Sequence, residues 1–397
     1  MSQGNGTTTG VLNGALPRPI RVAFVHYLDD SRAGGSLRVG EAIAGHLLPA
    51  DFDARLVFAY GGVGAVGKEM PEKCHYLRAS GPGDASAWPR SRRWFKEFSP
   101  DIVHFLDPVY WLRLALLGLR SKKVVHVHGK PPAETLGFAQ RWLNRIAIGS
   151  ADARVCISHG SRKVLADLGW GDDASTYVVH NGIDCDRFQP KERRADVRAD
   201  LGIDPESKVL GMVCRLVRYR GVQDGVRLLK KLGPEWALLL CGEGPFRAEI
   251  EKMASDFGVT ARVFFAGSVD DVRPVYAAMD AFLLLARYDS FGLATCEAMA
   301  SGVPVLGLAA DGEYRETQYP LVTIENTTLI ERVAPTNYDL IEPESTIDQL
   351  ASVVTALLAD PSRRDAQVRA ARNWVESRFS ARRQAEKVSE IYKALVC

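Results

Sequence analysis

The sequence predicts an α/β protein built from two doubly wound domains in series. Three observations carry that prediction. Short apolar runs alternate with helical patterns from Ile20 to His180, a charged and apolar-poor stretch interrupts them at 186–206, and a second alternating series follows. Strand-length apolar runs separated by helices specify a parallel sheet covered on both faces. A chain of 397 residues that is 46% hydrophobic can give each of two such domains its own core.

Residues 1–19 are rich in Gly, Thr, Asn and Ser and lack an apolar stretch, so they read as a disordered tail and not as a signal peptide. The first domain spans 20–185, with strands at 20–26, 54–60, 102–106, 123–127, 154–157 and 177–180. Asn181-Gly182 makes a turn, and 186–206 is the linker. The second domain, 207–375, has strands near 208–213, 236–241, 262–265, 281–285 and 303–307. Its helices fall near 222–232, 246–257, 271–279, 291–301 and 346–359. From about Pro361 the chain is charged and reads as continuously helical, and 376–397 forms a last helix. All eight histidines lie in the first half, so the domains are not simple copies.

Composition excludes several function classes. A net charge of +2 provides no domain-wide basic excess for nucleic acid. Seven scattered cysteines without C-x-x-C spacing argue against a disulfide framework or a zinc site, and a reducing, cytoplasmic setting is expected. No stretch approaches the ~20 apolar residues of a membrane span.

The most informative segment is 285–297. Ala281–Leu285 is an apolar strand, Ser290 is a plausible N-cap, and a helix is expected through about Ser301, ended by Gly302 and Pro304. The N–H groups of Phe291, Gly292 and Leu293 then face a ligand at the carboxyl edge of a sheet, an arrangement suited to phosphate. Phe291 and Glu297 are separated by a helical rise of roughly 9 Å, with Asp289 lying beyond the helix start. That is too far for the closer glycosidase pair, whose carboxylates sit about 5 Å apart. Phosphate repels both acids, so each must accept hydrogen bonds from hydroxyls. A nucleotide sugar satisfies the pattern, with hexose at Asp289, diphosphate at the helix start and ribose at Glu297. The alternative is an amphipathic helix with an incidental acid.

Taken together with further motifs, the chain resembles a retaining glycosyltransferase of family 4, with the GT-B fold of two facing Rossmann-like domains. Gly34-Gly35 resembles the family's glycine pair beside the donor phosphates. His180 to Asp184 resembles N-G-[VI]-D, and Cys214 to Gly221 resembles G-R-L-x-x-x-K-G. Gly242-Glu243-Gly244-Pro245 resembles G-[DE]-G-P, and Asp289 to Glu297 resembles E-x7-E. Arg220 stands for the usual Lys, Asp289 for the first Glu, and Ala286 for a common Ser. Asp311 to Glu316 resembles G-G-x-x-E only loosely.

The resemblance implies that Arg215 and Arg220 hold a diphosphate, that Asp289 contacts the transferred sugar and that Glu297 contacts ribose. It places Gly34, Gly35, Gly242, Gly244, Ser290, Phe291, Gly292 and Leu293 around the donor. It also implies an acceptor-binding first domain, a last helix crossing back onto it, and retention of anomeric configuration. Fixed cations can stabilise the leaving diphosphate without a metal, and no D-x-D element stands at a strand end, so no metal or other cofactor is expected. His128, at the end of Val-Val-His-Val-His-Gly, matches the family histidine near the donor sugar. A UDP-sugar is the favoured donor and the hydroxyl acceptor is unidentified. Polysaccharide, glycolipid or natural-product glycoside synthesis is the setting. A related GT-B epimerase or phosphorylase, or an inactive nucleotide-sugar-binding homologue, is the competing reading.

Two other signals stand apart. Gly62 to Gly67 is a formal G-x-G-x-x-G, but the following Lys-Glu-Met-Pro lacks an apolar helical period, which argues against a dinucleotide site. Residues 88–98 place Trp94, Phe95 and Phe98 on one side of a helix and Arg92, Arg93 and Lys96 on the other. That pattern suits peripheral contact with an anionic membrane, or a sheet-covering helix with a solvated basic face.

Overall fold

The computed structural model describes residues 18–30, 34–129, 138–171, 173–190, 195–287, 289–308, 328–330 and 344–396. Most of the N-terminal tail and the segment 311–316 lie outside the described residues.

The first domain is a seven-stranded sheet. Its strands are β1 (Ile20–His26), β2 (Phe52–Tyr60), β3 (Cys74–Ala79), β4 (Ile102–Phe105), β5 (Lys122–Val127), β6 (Ala153–Cys156) and β7 (Thr176–Val178). They pair in parallel in the order β3-β2-β1-β4-β5-β6-β7. The helices are α1 (Gly35–His46), α2 (Ala65–Glu69), α3 (Ala87–Phe98), α4 (Tyr110–Ala115), α5 (Phe138–Gly149) and α6 (His159–Asp167). Each central strand is buried on both sides, which is why it reads as an unbroken apolar run.

The second sheet contains β8 (Lys208–Val213), β9 (Trp236–Cys241), β10 (Val263–Gly267), β11 (Ala281–Leu284), β12 (Val305–Leu308) and β13 (Thr328–Ile330), in the order β10-β9-β8-β11-β12-β13, again all parallel. Around it lie α7 (Ala195–Asp200), α8 (Val222–Lys231), α9 (Arg247–Asp256), α10 (Arg273–Ala277), α11 (Leu293–Ala300), α12 (Glu344–Ala359) and α13 (Pro361–Arg378), with α14 (Ala381–Val396) last.

Both sheets reverse strand order once, between β1 and β4 and between β8 and β11. Crevices open at such switch points beyond the carboxyl ends of the strands. The two crevices therefore bring together the loops after β1, β4, β8 and β11.

Several elements differ from the sequence reading. β3 is an edge strand carrying His75 and Arg78, so no apolar run betrays it. The stretch 186–206 is not wholly irregular, since α7 lies within it. The terminal helix is not continuous either. It stops after α13, Ser380 bridges to Ile183, and α14 starts anew. That break turns the chain back: Ala371, Val375 and Phe379 are buried in the second domain, whereas Ala385, Val388, Ile391 and Tyr392 join Phe24, Ile43 and Leu56 in the first-domain core.

Candidate functional site

The loop after β8 carries a cation and the loop after β11 an acid, and the switch point sets them against each other. Arg220 forms an ion pair with Asp289 Oδ2. Asp289 Oδ1 accepts the backbone N–H groups of Phe291 and Gly292, at 3.3 and 3.0 Å. The carboxylate holds the Arg220 guanidinium above its already high ordinary pKa. Ser290 is therefore not the N-cap. The cap is Gly292 in the left-handed region (φ 90°), and α11 starts at Leu293 instead of Phe291. Two of the three amides expected to face a ligand are taken by Asp289, because its side chain reaches them without leaving the turn.

Gly221 follows Arg220 at φ 74°, and a Cβ there would meet the Leu285 carbonyl oxygen at 2.1 Å. Arg287 bonds this loop to the strand end through its amide, which donates to the Tyr219 carbonyl at 2.8 Å. Its guanidinium is buried in an ion pair with Asp224 of α8, which also takes Arg227 at 2.9 Å. Sequence reasoning missed this buried triad; its only signal was an acid and two arginines in otherwise apolar surroundings.

Gly242 and Gly244 serve close backbone approach. A Cβ would meet the Cys214 carbonyl oxygen at 2.1 Å at the first and the Leu216 carbonyl oxygen at 2.2 Å at the second. The loops after β8 and β9 thus lie one on the other, with the Leu216 amide donating to the Glu243 carbonyl at 3.0 Å. Arg215 is exposed on this ridge. It is not drawn into the Arg220–Asp289 cluster.

Glu297 lies one side of the interdomain cleft, in a cavity of about 250 Å³ shared with Arg38, Asp184, Arg187 and Leu293. Burial pushes its carboxyl up to about 7, against the Tyr276 hydroxyl that donates to it at 2.7 Å. Arg38 on α1 spans the cleft, donating to the Asp270 carbonyl at 2.8 Å. The glycine pair sits at the same seam. Gly34 has φ 91° at the start of α1, and a Cβ on Gly35 would come within 2.6 Å of Leu293 Cδ1. The first domain's glycine turn therefore abuts the N-terminus of α11.

His128 stacks on His126, with ring centroids 4.5 Å apart. Its Nε2 is buried without a hydrogen-bond partner, and its other nitrogen bonds the Leu106 backbone. Burial pushes the imidazole down to about 4, so it is neutral near pH 7. A proton held on Nδ1 by that bond leaves Nε2 as an acceptor. Behind it the array continues inward: His126 Nδ1 lies 3.1 Å from His104 Nε2, and His104 Nδ1 bonds the Tyr392 hydroxyl of α14. Beside it, His26 Nε2 lies 2.7 Å from Asp107 Oδ2. Burial raises the Asp107 carboxyl, and the His26 bond outweighs this and holds it below its ordinary value. His26 ends β1 and Asp107 lies two residues past β4, at the strands flanking the switch point, which is the signal that would have found them.

The G-x-G-x-x-G segment contains the start of a short helix, α2, which ends at Glu69, two residues past the motif. Its turn is filled by Asp29, whose carboxylate accepts the amides of Gly64, Val66 and Gly67 at 2.8 to 3.0 Å. In 88–98, Phe95 is buried and Trp94 stacks on His75, so the aromatic side of α3 covers the sheet and only its basic side faces outward. Among the described residues no helix is long and apolar enough to cross a membrane.

Comparison with known proteins agrees with this architecture. The model for "Glycosyltransferase Family 4" matches residues 33–187, and that for "Glycosyl transferases group 1" matches 193–374. The chain is 30% identical to alpha-maltose-1-phosphate synthase of Mycolicibacterium smegmatis over 66% of its own length and 68% of that protein. It is 27% identical to the GDP-mannose-dependent alpha-(1-6)-phosphatidylinositol monomannoside mannosyltransferase of the same organism, over 70% and 73%. Anabaena HepE, solved with UDP and glucose, superposes over 94% of this chain and 100% of its own with a TM-score of 0.76 at 18% identity. With two switch-point crevices facing one seam and both halves matched, the chain belongs to glycosyltransferase family 4 and has the GT-B fold.

Proposed function

We propose that the protein is a retaining, metal-independent transferase that moves a hexosyl group from a nucleotide-diphosphate sugar, with UDP-sugars favoured, to a hydroxyl acceptor. The reading rests on one observation: Arg220, Asp289 and the Phe291–Gly292 amides form an anion-holding cluster at the β8–β11 switch point, and α11 starts against the Gly34–Gly35 turn of the facing domain. UDP is favoured because HepE was solved with UDP and glucose; the mannosyltransferase relative keeps GDP-sugars next in line.

Breaking the C1–O bond puts positive charge on the ring and negative charge on the leaving diphosphate. Arg220 and the α11 turn stabilise the latter. Asp289 pairs with those donors, so seating the diphosphate is an exchange. The diphosphate takes the guanidinium and amides, and the carboxylate turns to a hexose hydroxyl. Glu297 accepts from the ribose hydroxyls, and neutral His128 offers Nε2 to a sugar hydroxyl. No carboxylate is placed as a nucleophile in this scheme. The leaving phosphate takes the acceptor's proton on the face it departs from, which retains configuration. The enzyme acts in the cytoplasm in polysaccharide, glycolipid or glycoside synthesis.

The test is to incubate purified protein with UDP-glucose, UDP-N-acetylglucosamine and GDP-mannose, with and without EDTA. Proton NMR then gives the anomeric configuration of the released or transferred sugar. Turnover of a UDP-sugar with retention, unchanged by EDTA, is expected. Inversion or abolition by EDTA contradicts the mechanism, and tight nucleotide binding with no turnover favours an inactive homologue.

A further inference from the structure

The first domain exposes a face that its own packing does not explain. On α5, Phe138, Trp142 and Ile146 recur at every fourth residue and are 88, 57 and 47% exposed, with Leu143 beside them. Such spacing lines them along one side of the helix. The inner side of α5 is occupied as well, since Asn144 and Ala147 are buried against the domain. A helix that is packed on its inner side and still presents a row of large apolar side chains outward is not an ordinary surface helix.

The row continues onto α4. Arg113 of α4 donates to Ser150 just after α5 at 3.2 Å, and the Tyr110 hydroxyl bonds Asn144, so the two helices are braced together. Leu114 and Leu117, 54 and 62% exposed, extend the apolar surface from there. Arg92 of α3 donates to the carbonyls of Ala115 and Leu117, which brings the basic side of α3 to the edge of the same face.

Charge is segregated to match. Residues 87–150 carry eleven Lys and Arg against four Asp and Glu, a net +7 in a chain whose total is +2. Arg141 and Arg145 are exposed and flank the aromatic row. Large apolar side chains rimmed by cations are disfavoured in water and unsuited to a nucleic-acid backbone, but they match the headgroup and acyl boundary of an anionic bilayer. A second copy of the face would set Arg141 and Arg145 against like charge.

We propose that the α4–α5 face, rimmed by the basic side of α3, docks the protein peripherally on an anionic lipid bilayer. This deepens the transferase reading without depending on the donor. Directly behind α5 lies a cavity of about 230 Å³ lined by Phe105, Val127, His128, Asn144, Leu165 and Trp170. Docking by the outer face of α5 therefore places that cavity and His128 on the membrane-proximal side of the first domain, with α5 between them and the bilayer.

The experiment is flotation of the full chain with vesicles of phosphatidylcholine alone and of phosphatidylcholine with phosphatidylglycerol, in the absence of nucleotide. UDP binding is measured separately without vesicles, so failure of docking and failure of the donor reading are distinct results. Wild type should float with the anionic vesicles at least ten times more than with the neutral ones. Trp142→Ser with Ile146→Ser, and separately Arg141→Glu with Arg145→Glu, should each lower flotation about tenfold while leaving circular dichroism, melting temperature and UDP affinity unchanged. Equal flotation of both variants and wild type overturns the proposal. So does absence of flotation with anionic vesicles, whether accompanied by duplex DNA binding or by a concentration-dependent dimer that Trp142→Ser dissolves.

Discussion

Arg220 and Asp289, 69 positions apart in the chain, neutralise each other at the carboxyl edge of the second sheet. Because the second Asp289 oxygen takes the Phe291 and Gly292 amides, the carboxylate sits among the donors that a diphosphate requires. Asp289→Asn removes the competing charge. UDP should bind about tenfold more tightly, or ~1.4 kcal/mol, close to the lower end for a hydrogen bond to a charged group. Sugar transfer should slow at least tenfold, because the hexose loses its carboxylate. Calorimetry with UDP and a rate assay with UDP-sugar separate the two effects; a variant that binds UDP more weakly contradicts the exchange.

Glu297 carries a pH dependence. Its folded pKa of about 7 is raised from 4.5 chiefly by burial, so the folded protein holds a proton that the unfolded chain releases. The associated stability is present below about pH 4.5 and is lost as pH rises through 7. Over that window the loss is on the order of 3 kcal/mol. Denaturant titrations at pH 5 and 8 should show the decline, and Glu297→Gln should flatten it. Ribose hydroxyls prefer the ionised acid, so UDP affinity should rise across the same window in wild type only.

Gly35 and Leu293 set the domain seam. A Cβ at Gly35 would reach Leu293 Cδ1 at 2.6 Å. Gly35→Val should lower kcat/KM at least tenfold with little effect on UDP affinity, and Leu293→Ala should restore part of the loss. Additive losses in the double variant would show that the two residues do not meet in the working enzyme.

Removing 373–397 deletes Val375, Phe379 and the whole of α14, exposing both domains' cores and taking Tyr392 from His104. Loss of soluble, active protein is expected. A soluble truncated chain with full turnover would mean that α14 is dispensable.

Much of this was legible because central parallel strands are apolar on both faces and announce themselves. The E-x7-E-like segment likewise led to the β11–α11 crevice. The local details were not legible for specific physical reasons. Ser290 looked like the cap, but Asp289 satisfies the amides and Gly292 alone adopts the left-handed turn that starts α11. β3 is an edge strand with polar side chains, and the Arg287–Asp224 pair joins residues that no local pattern connects. The pattern of α3 suited either a membrane or the sheet, and its aromatic side covers the sheet, with His75 on neighbouring β3 stacked on Trp94.

The most direct test of the account is a crystal structure with bound UDP. It should show the β-phosphate held by Arg220 and the Phe291–Gly292 turn, Asp289 rotated away from the guanidinium, and the ribose at Glu297. UDP bound elsewhere, with the Arg220–Asp289 pair intact, would contradict it.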